Sequence, residues 1–294
     1  MTDLVEVGRS KTLADARQQV LVLAAVGIEC HLIRADRAVG LYVAATDVEQ
    51  AVQELACYER ENLSSGQRRR PARPARHAVD AALAYCAVLL FFFGAERRHA
   101  LSVDWAAIGA AQAGLIREGA WWRTLTALSL HADPLHLMSN LASGVIFGIF
   151  VAQLLGSGLA WLTILLAGAL GNALIALVQA PEHAAIGAST GIFGALGILS
   201  GYMRRSHVVP WRGGIRRWAP LAAGIMLLVF LGFSGERTDI GAHVAGFAMG
   251  GVIGFILAPT ADRLKDDLSV QWVSGALTCG LFVLAWLLAL HSVG

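Results

Sequence analysis

Hydrophobic and polar positions divide the chain at about residue 77. Before it they alternate on short periods. Leu4-Val5-Glu6-Val7 reads as a strand, and Thr12 to Val26 repeats apolar residues at helical spacing until Gly27 stops it. Ile28 to Ile33 and Val39 to Ala44 read as a strand pair around the polar turn Arg34-Ala35-Asp36-Arg37. Thr46-Asp47 would cap a helix running to about Tyr58. The predicted order is βαββα, a small α/β domain over residues 1–60 followed by a linker over 61–77. Beyond the linker the pattern changes scale. Apolar stretches at about 78–95, 136–155, 159–180, 185–203, 217–234, 239–259 and 272–291 each approach the roughly 20 residues that cross a bilayer. The predicted fold class is an α-helical polytopic membrane protein, a bundle of seven spans behind a small N-terminal α/β domain.

Composition supports the division. Of 294 residues, 56% are hydrophobic and only 15% charged, where a soluble domain carries about a quarter. Residues 1–77 hold 21 acidic and basic side chains, and the other 217 residues share 23. A single soluble globule is excluded. A net charge of +2 gives no reason to invoke nucleic acid. Cys30, Cys57, Cys86 and Cys279 have no paired spacing, so neither a disulfide framework nor a cysteine metal site is indicated. The N-terminus has no basic stretch ahead of an apolar core, so the first span is expected to do the targeting in place of a cleaved signal.

Arginines orient the spans. Arg68, Arg69, Arg70, Arg73 and Arg76 precede the first span and place its start in the cytoplasm, against anionic lipid. Seven crossings then put Arg204, Arg205, Arg212, Arg216 and Arg217 on that side, together with Arg263 and Lys265. The expected localisation is a cell membrane, N-terminus inside and C-terminus outside. The long first outer loop, about 96–135, reads as interfacial or partly buried, with Trp105, Trp121 and Trp122 at headgroup level.

With that topology, four uncharged or weakly basic polar residues reach one depth near the outer face. They are His136 and Asn140 on the second span, Ser189 on the fourth and His243 on the sixth. Intramembrane polar residues are costly and face the bundle interior by default. Each also has a plainer role. Ser189 lies among small residues that serve close packing, as Gly246, Gly250 and Gly254 do on the sixth span. Asp239 suits a helix cap, and the spacing of His131 and His136 is poor for two metal ligands on one helical face.

Together these residues resemble the rhomboid family of intramembrane serine proteases. Gly187-Ala188-Ser189-Thr190-Gly191-Ile192-Phe193-Gly194 is similar to the family's nucleophile motif, and Gly241 to Gly250 to its AHxxGxxxG helix. His136 to Asn140 matches HxxxN, and Trp122-Arg123 resembles the WR pair of the first loop. The resemblance covers roughly 78–260, a six-span core, leaving 261–294 as a cytoplasmic loop and an extra C-terminal span. Two departures stand out. Thr190 follows the serine where many members have glycine, with Gly191 displaced by one, and Phe193 takes the place of an aromatic that stacks on the histidine.

The resemblance implies an endopeptidase in which Ser189 attacks and His243 serves as base. No buried acid is obvious as an orienter, so a dyad is expected, with Asp239 the only nearby carboxylate that could make a third member. It also implies an oxyanion site of the Ser189 N–H with His136 and Asn140. Gly187, Gly191, Gly246 and Gly250 would allow close packing. Transmembrane proteins would be the substrates, cut near the outer ends of their helices, with no cofactor, metal or nucleic acid. A non-catalytic binder of membrane clients with the same fold remains open, as does a transporter. The latter calls for ionisable residues at mid-membrane, and none lies in the middle of a predicted span.

Overall fold

The computed structural model of the chain describes residues 3–10, 12–35, 38–63, 77–206, 222 and 239–292. The chain folds as two compact units, Met1–Ala72 and Arg73–Gly294. The predicted fifth span and linker residues 64–76 fall outside the described residues, apart from residue 222. So do the linker arginines and Arg212, Arg216 and Arg217, on which the expected orientation rests in part.

In the first unit the order is β1 (Leu4–Ser10), α1 (Leu13–Ala25), β2 (Cys30–Ala35), β3 (Ala38–Ala44) and α2 (Val48–Leu63). The sheet order is β1-β3-β2, with both pairings antiparallel. Thr12 caps α1, its hydroxyl accepting from the Asp15 N–H. Leu41 and Val43 of the central strand are wholly buried, Leu41 packing with Ala16 of α1 and Val43 with Leu23, Ala51 and Leu55. The predicted cap of α2 is different: Thr46 and Asp47 belong to a 3-10 turn, Ala45–Asp47, that leads into the helix.

In the second unit the long helices are α3 (Ala78–Arg97), α4 (Pro134–Leu155), α5 (Ser157–Val178), α6 (Ser189–Arg205), α7 (Ile240–Leu257) and α8 (Leu268–His291). Five of them, all but α6, are long and apolar enough to cross a membrane. Helix α6, the predicted fourth span, has only 17 residues and ends on Arg204 and Arg205. It is nonetheless the most enclosed, with every residue from Thr190 to Ile198 buried. Helices α4, α5 and α7 pack around it. A helix wrapped by other helices need not match the bilayer thickness, because its backbone bonds are internal and its sides meet protein. Its start is therefore free to lie where a neighbouring helix needs it.

The segment between α3 and α4 is folded, not draped. Short helices Trp105–Gly109, Ala113–Arg117 and Arg123–Thr126 follow one another, and Ala111–Gln112 pairs antiparallel with Ala184–Ala185 ahead of α6. Trp105 is packed inside protein, as an interfacial or partly buried loop allows. It is 4% exposed, in edge-on and tilted contact with Phe92 of α3 and Trp286 of α8. Trp286 also stacks on Phe92 at 4.5 Å and donates to the Ser129 hydroxyl at 3.2 Å. The last helix thus braces the first loop. Trp121, in contrast, is exposed. At the other end of the bundle, the Lys265 ammonium donates to the Gln153 carbonyl and the Gln271 amide to those of Leu155 and Leu264. These bonds meet carbonyls that a helix end leaves without partners.

Candidate active site

The chain enters α6 through Gly187, whose φ of 131° is a conformation few other residues hold. Gly187 is also pressed against a neighbour. A Cβ there would lie 2.7 Å from His136 Nε2 and 3.5 Å from Ser189 Oγ. Its N–H donates to the Ala127 carbonyl at 2.9 Å, which moors the turn to the first loop. Ala188 provides no side-chain cap, so the N–H groups of the first turn of α6, beginning at Ser189, lack intrahelical acceptors. Such a helix start favours negative charge.

Helix α7 starts one turn before His243. Asp239 caps it, Oδ1 accepting from the Ala242 N–H at 2.9 Å. His243 is buried, and its Nε2 lies 2.8 Å from Ser189 Oγ. The Phe193 ring, one turn along α6 from Ser189, sits 4.3 Å from the imidazole at 34°, which limits the ring's tilt. Among the described residues His243 Nδ1 has no hydrogen-bond partner. The second carboxylate oxygen of Asp239 goes elsewhere, to His183 Nε2 at 2.7 Å. The arrangement is therefore a serine–imidazole pair, without a carboxylate on the far side of the ring among the described residues.

Backbone contact between α6 and α7 holds the pair. A Cβ on Gly246 would collide with the Thr190 carbonyl, and one on Gly250 with the Gly194 carbonyl. Thr190 is buried, its methyl filling the space against Gly171 of α5. The hydroxyl-bearing residue that follows the serine is thus packed between two helices. Gly191 lies against Gly168 and Ile164 of α5.

On α4, Asp133 caps the helix by accepting from the His136 N–H, which places the His136 ring beside Gly187. Asn140, one turn on, is buried, its amide donating to the His136 carbonyl at 2.9 Å. Its main-chain carbonyl accepts from the Tyr85 hydroxyl at 2.9 Å. His131 lies edge-on to His136, with ring centroids 5.1 Å apart. Burial pushes the His131 imidazole down to about 4, and the neighbouring His136 acts in the same direction, so it stays neutral near pH 7.

Trp122 and Arg123 do not join this group. Arg123 is buried within the first loop, donating from Nη1 to the Ala107 and Ala110 carbonyls and from Nη2 to Ala107, each at 3.0 Å. Thr126 donates to the Gly109 carbonyl at 2.7 Å, so the two residues close the end of helix Trp105–Gly109. Arg123→Lys keeps the charge but loses the planar fork that meets two carbonyls at once. It is expected to cost about 1–3 kcal/mol, read as a lowered thermal midpoint of the purified protein.

His183, His131 and Tyr85 were not legible as members of this neighbourhood. Tyr85 meets Asn140 across 55 positions and His183 meets Asp239 across 56, with no repeated spacing to mark either.

A family model described as a rhomboid domain matches residues 118–260. Rhomboid-like protein 5 of Arabidopsis thaliana is 30% identical over 154 residues, covering 51% of this chain and 48% of that protein. Rhomboid protease GluP of Bacillus subtilis is 32% identical over 161 residues, 53% of this chain and 29% of its own length. Rhomboid-related protein 2 of Mus musculus is 26% identical over 176 residues, 55% and 57% of the two chains. The chain thus spans less than half of the first two relatives. The matched segment contains the turn at Gly187, the pair Ser189–His243 and the glycine seam behind it, and residues 118–260 of this chain are a rhomboid domain.

Proposed function

We propose that this protein is an intramembrane serine endopeptidase that hydrolyses a peptide bond in or near the outer end of transmembrane helices of membrane proteins. The observation that carries the reading is the 2.8 Å contact between Ser189 Oγ and His243 Nε2, made by two helices far apart in sequence. A nucleophile needs a base at this distance.

In this mechanism His243 Nε2 takes the Ser189 proton as Oγ attacks the scissile carbonyl. The negative charge on the tetrahedral oxygen is met by the Ser189 N–H at the uncapped start of α6, by the His136 ring and by the second amide N–H of Asn140. His243 then passes its proton to the leaving amine, and the C–N bond breaks to leave an ester on Oγ. A water gives a proton to the same Nε2 and attacks that ester, and proton return to Oγ restores the enzyme.

The arginine bias of the sequence supports seven spans with the N-terminus in the cytoplasm, the C-terminus outside and the site opening to the outer face. Incubation with a panel of single-span proteins in liposomes, with the cut mapped by mass, tests the function. Wild type is expected to cleave and to be labelled by a fluorophosphonate, and Ser189→Ala to do neither. A wild-type chain that neither cleaves nor reacts would overturn the reading.

A further inference from the structure

We infer that His183 and Asp239 form a clamp that positions Ser189 against His243. The inference rests on the proteolytic reading above and adds two positioning residues to it. His183 lies six residues before Ser189, in the segment that joins α5 to α6, and Asp239 lies one turn before His243. Their bond, 2.7 Å between Nε2 and Oδ2, therefore joins the two strands of chain that deliver the reacting groups.

Both ends of the clamp are anchored. On the α7 side, Asp239 is tied to the helix twice. Its Oδ1 accepts from the Ala242 N–H, and its main-chain carbonyl accepts from the His243 N–H at 3.1 Å. A shift of the carboxylate thus moves the turn that bears the imidazole. On the α6 side, the His183 carbonyl accepts from the Ala113 N–H at 2.9 Å, and the next two residues pair with Ala111–Gln112. Arg117 Nη1 donates to the Gln179 carbonyl at 3.0 Å. The first loop is the frame against which α7 is held.

Asp239 does not orient the His243 ring directly. Both of its oxygens have the partners given above, and His243 Nδ1 has none among the described residues. The carboxylate acts through the backbone of α7. The pair is largely enclosed, with side chains 28% and 15% exposed, so its loss also costs some global stability. Its effect on rate is larger, because displacing reacting groups by about 1 Å costs on the order of 100-fold. A merely structural role would show the opposite balance.

The test compares His183→Ala, Asp239→Ser and the double variant in the full chain. Serine still caps a helix but is too short to reach His183. Each single variant is expected to lower kcat on a cleaved reporter by about 10–100-fold, with KM unchanged. The double variant should be no slower than the worse single one. His183→Gln, which keeps a donor, is expected to recover most of the rate. A wild-type kcat in His183→Ala, or losses that multiply in the double variant, would overturn the clamp. Failure of wild type to cleave would instead overturn the proteolytic reading. A readout independent of cleavage keeps the two apart. In protein labelled with 15N-histidine, the His243 Nε2 resonance should move in His183→Ala as its bond to Ser189 lengthens, and an unmoved resonance would refute the clamp.

Discussion

His243→Ala is expected to abolish cleavage, lowering kcat by about 10⁴-fold or more. The imidazole does three jobs in the proposed mechanism: it takes the serine proton, protonates the leaving amine and deprotonates water. No other titratable side chain is hydrogen-bonded to Ser189 Oγ among the described residues. The substitution also leaves a void beside Phe193, whose ring loses its partner at 4.3 Å. His243→Gln separates the two effects. Glutamine occupies similar space and can bond to Oγ but cannot accept a proton near neutral pH. If the chemistry depends on basicity, the glutamine variant should be as inactive as alanine while melting closer to wild type. Initial rates on a reporter in liposomes, with thermal midpoints measured in parallel, check this. A glutamine variant within tenfold of wild type would sink the role of general base.

Gly246→Ala should be nearly as damaging, although it adds one methyl group and touches no reacting atom. The Cβ would collide with the Thr190 carbonyl, a backbone atom that cannot rotate aside. Helix α7 must then move away from α6, and the contact being opened lies one residue after Ser189 and three after His243. A separation near 1 Å is expected to cost on the order of 100-fold in kcat, with about 1–3 kcal/mol of stability lost to overpacking. Gly251→Ala is the control on the same helix. A Cβ there would meet the Gly197 carbonyl at 3.9 Å, an ordinary contact, and activity should stay near wild type. Equal losses in both variants would mean that glycine serves the helix generally, with no special demand at Gly246.

Much of the frame was legible because membrane spans advertise themselves locally. A run of apolar residues near bilayer length needs no knowledge of its neighbours, and α3, α4, α5, α7 and α8 each lie close to an expected stretch. Helix α6 is harder to bound. Its expected start at 185 falls in the Ala184–Ala185 pairing, and the helix begins at Ser189, where Gly187 turns the chain. Hydropathy cannot register that difference, since the residues on both sides of the turn are small and apolar.

The candidate site divides in the same way. Ser189, His243, His136 and Asn140 stand out because polar residues are conspicuous in apolar runs and because their motifs are local. The neighbours that hold them do not. Asp239 reads as a cap and is one, yet its second oxygen belongs to His183, to which no local pattern points. Trp105 reads as part of an interfacial or partly buried loop, but no local pattern shows that Phe92 and Trp286 from two distant helices enclose it. Arg123 reads as part of a first-loop motif, but only its bonds to the Ala107 and Ala110 carbonyls show what it holds there.

By itself the sequence determined where charge ends and the membrane body begins, which stretches are helical and which polar residues sit among them. These are properties of a residue and its near neighbours, and burial in lipid makes them strict. Only the tertiary structure decided that Ser189 Oγ and His243 Nε2 lie 2.8 Å apart, that glycines let two backbones touch to make this so, and that Asp239 faces His183 and not the His243 ring. Those outcomes depend on how whole helices approach one another. That approach is set by packing over many residues at once, and no window along the chain contains it.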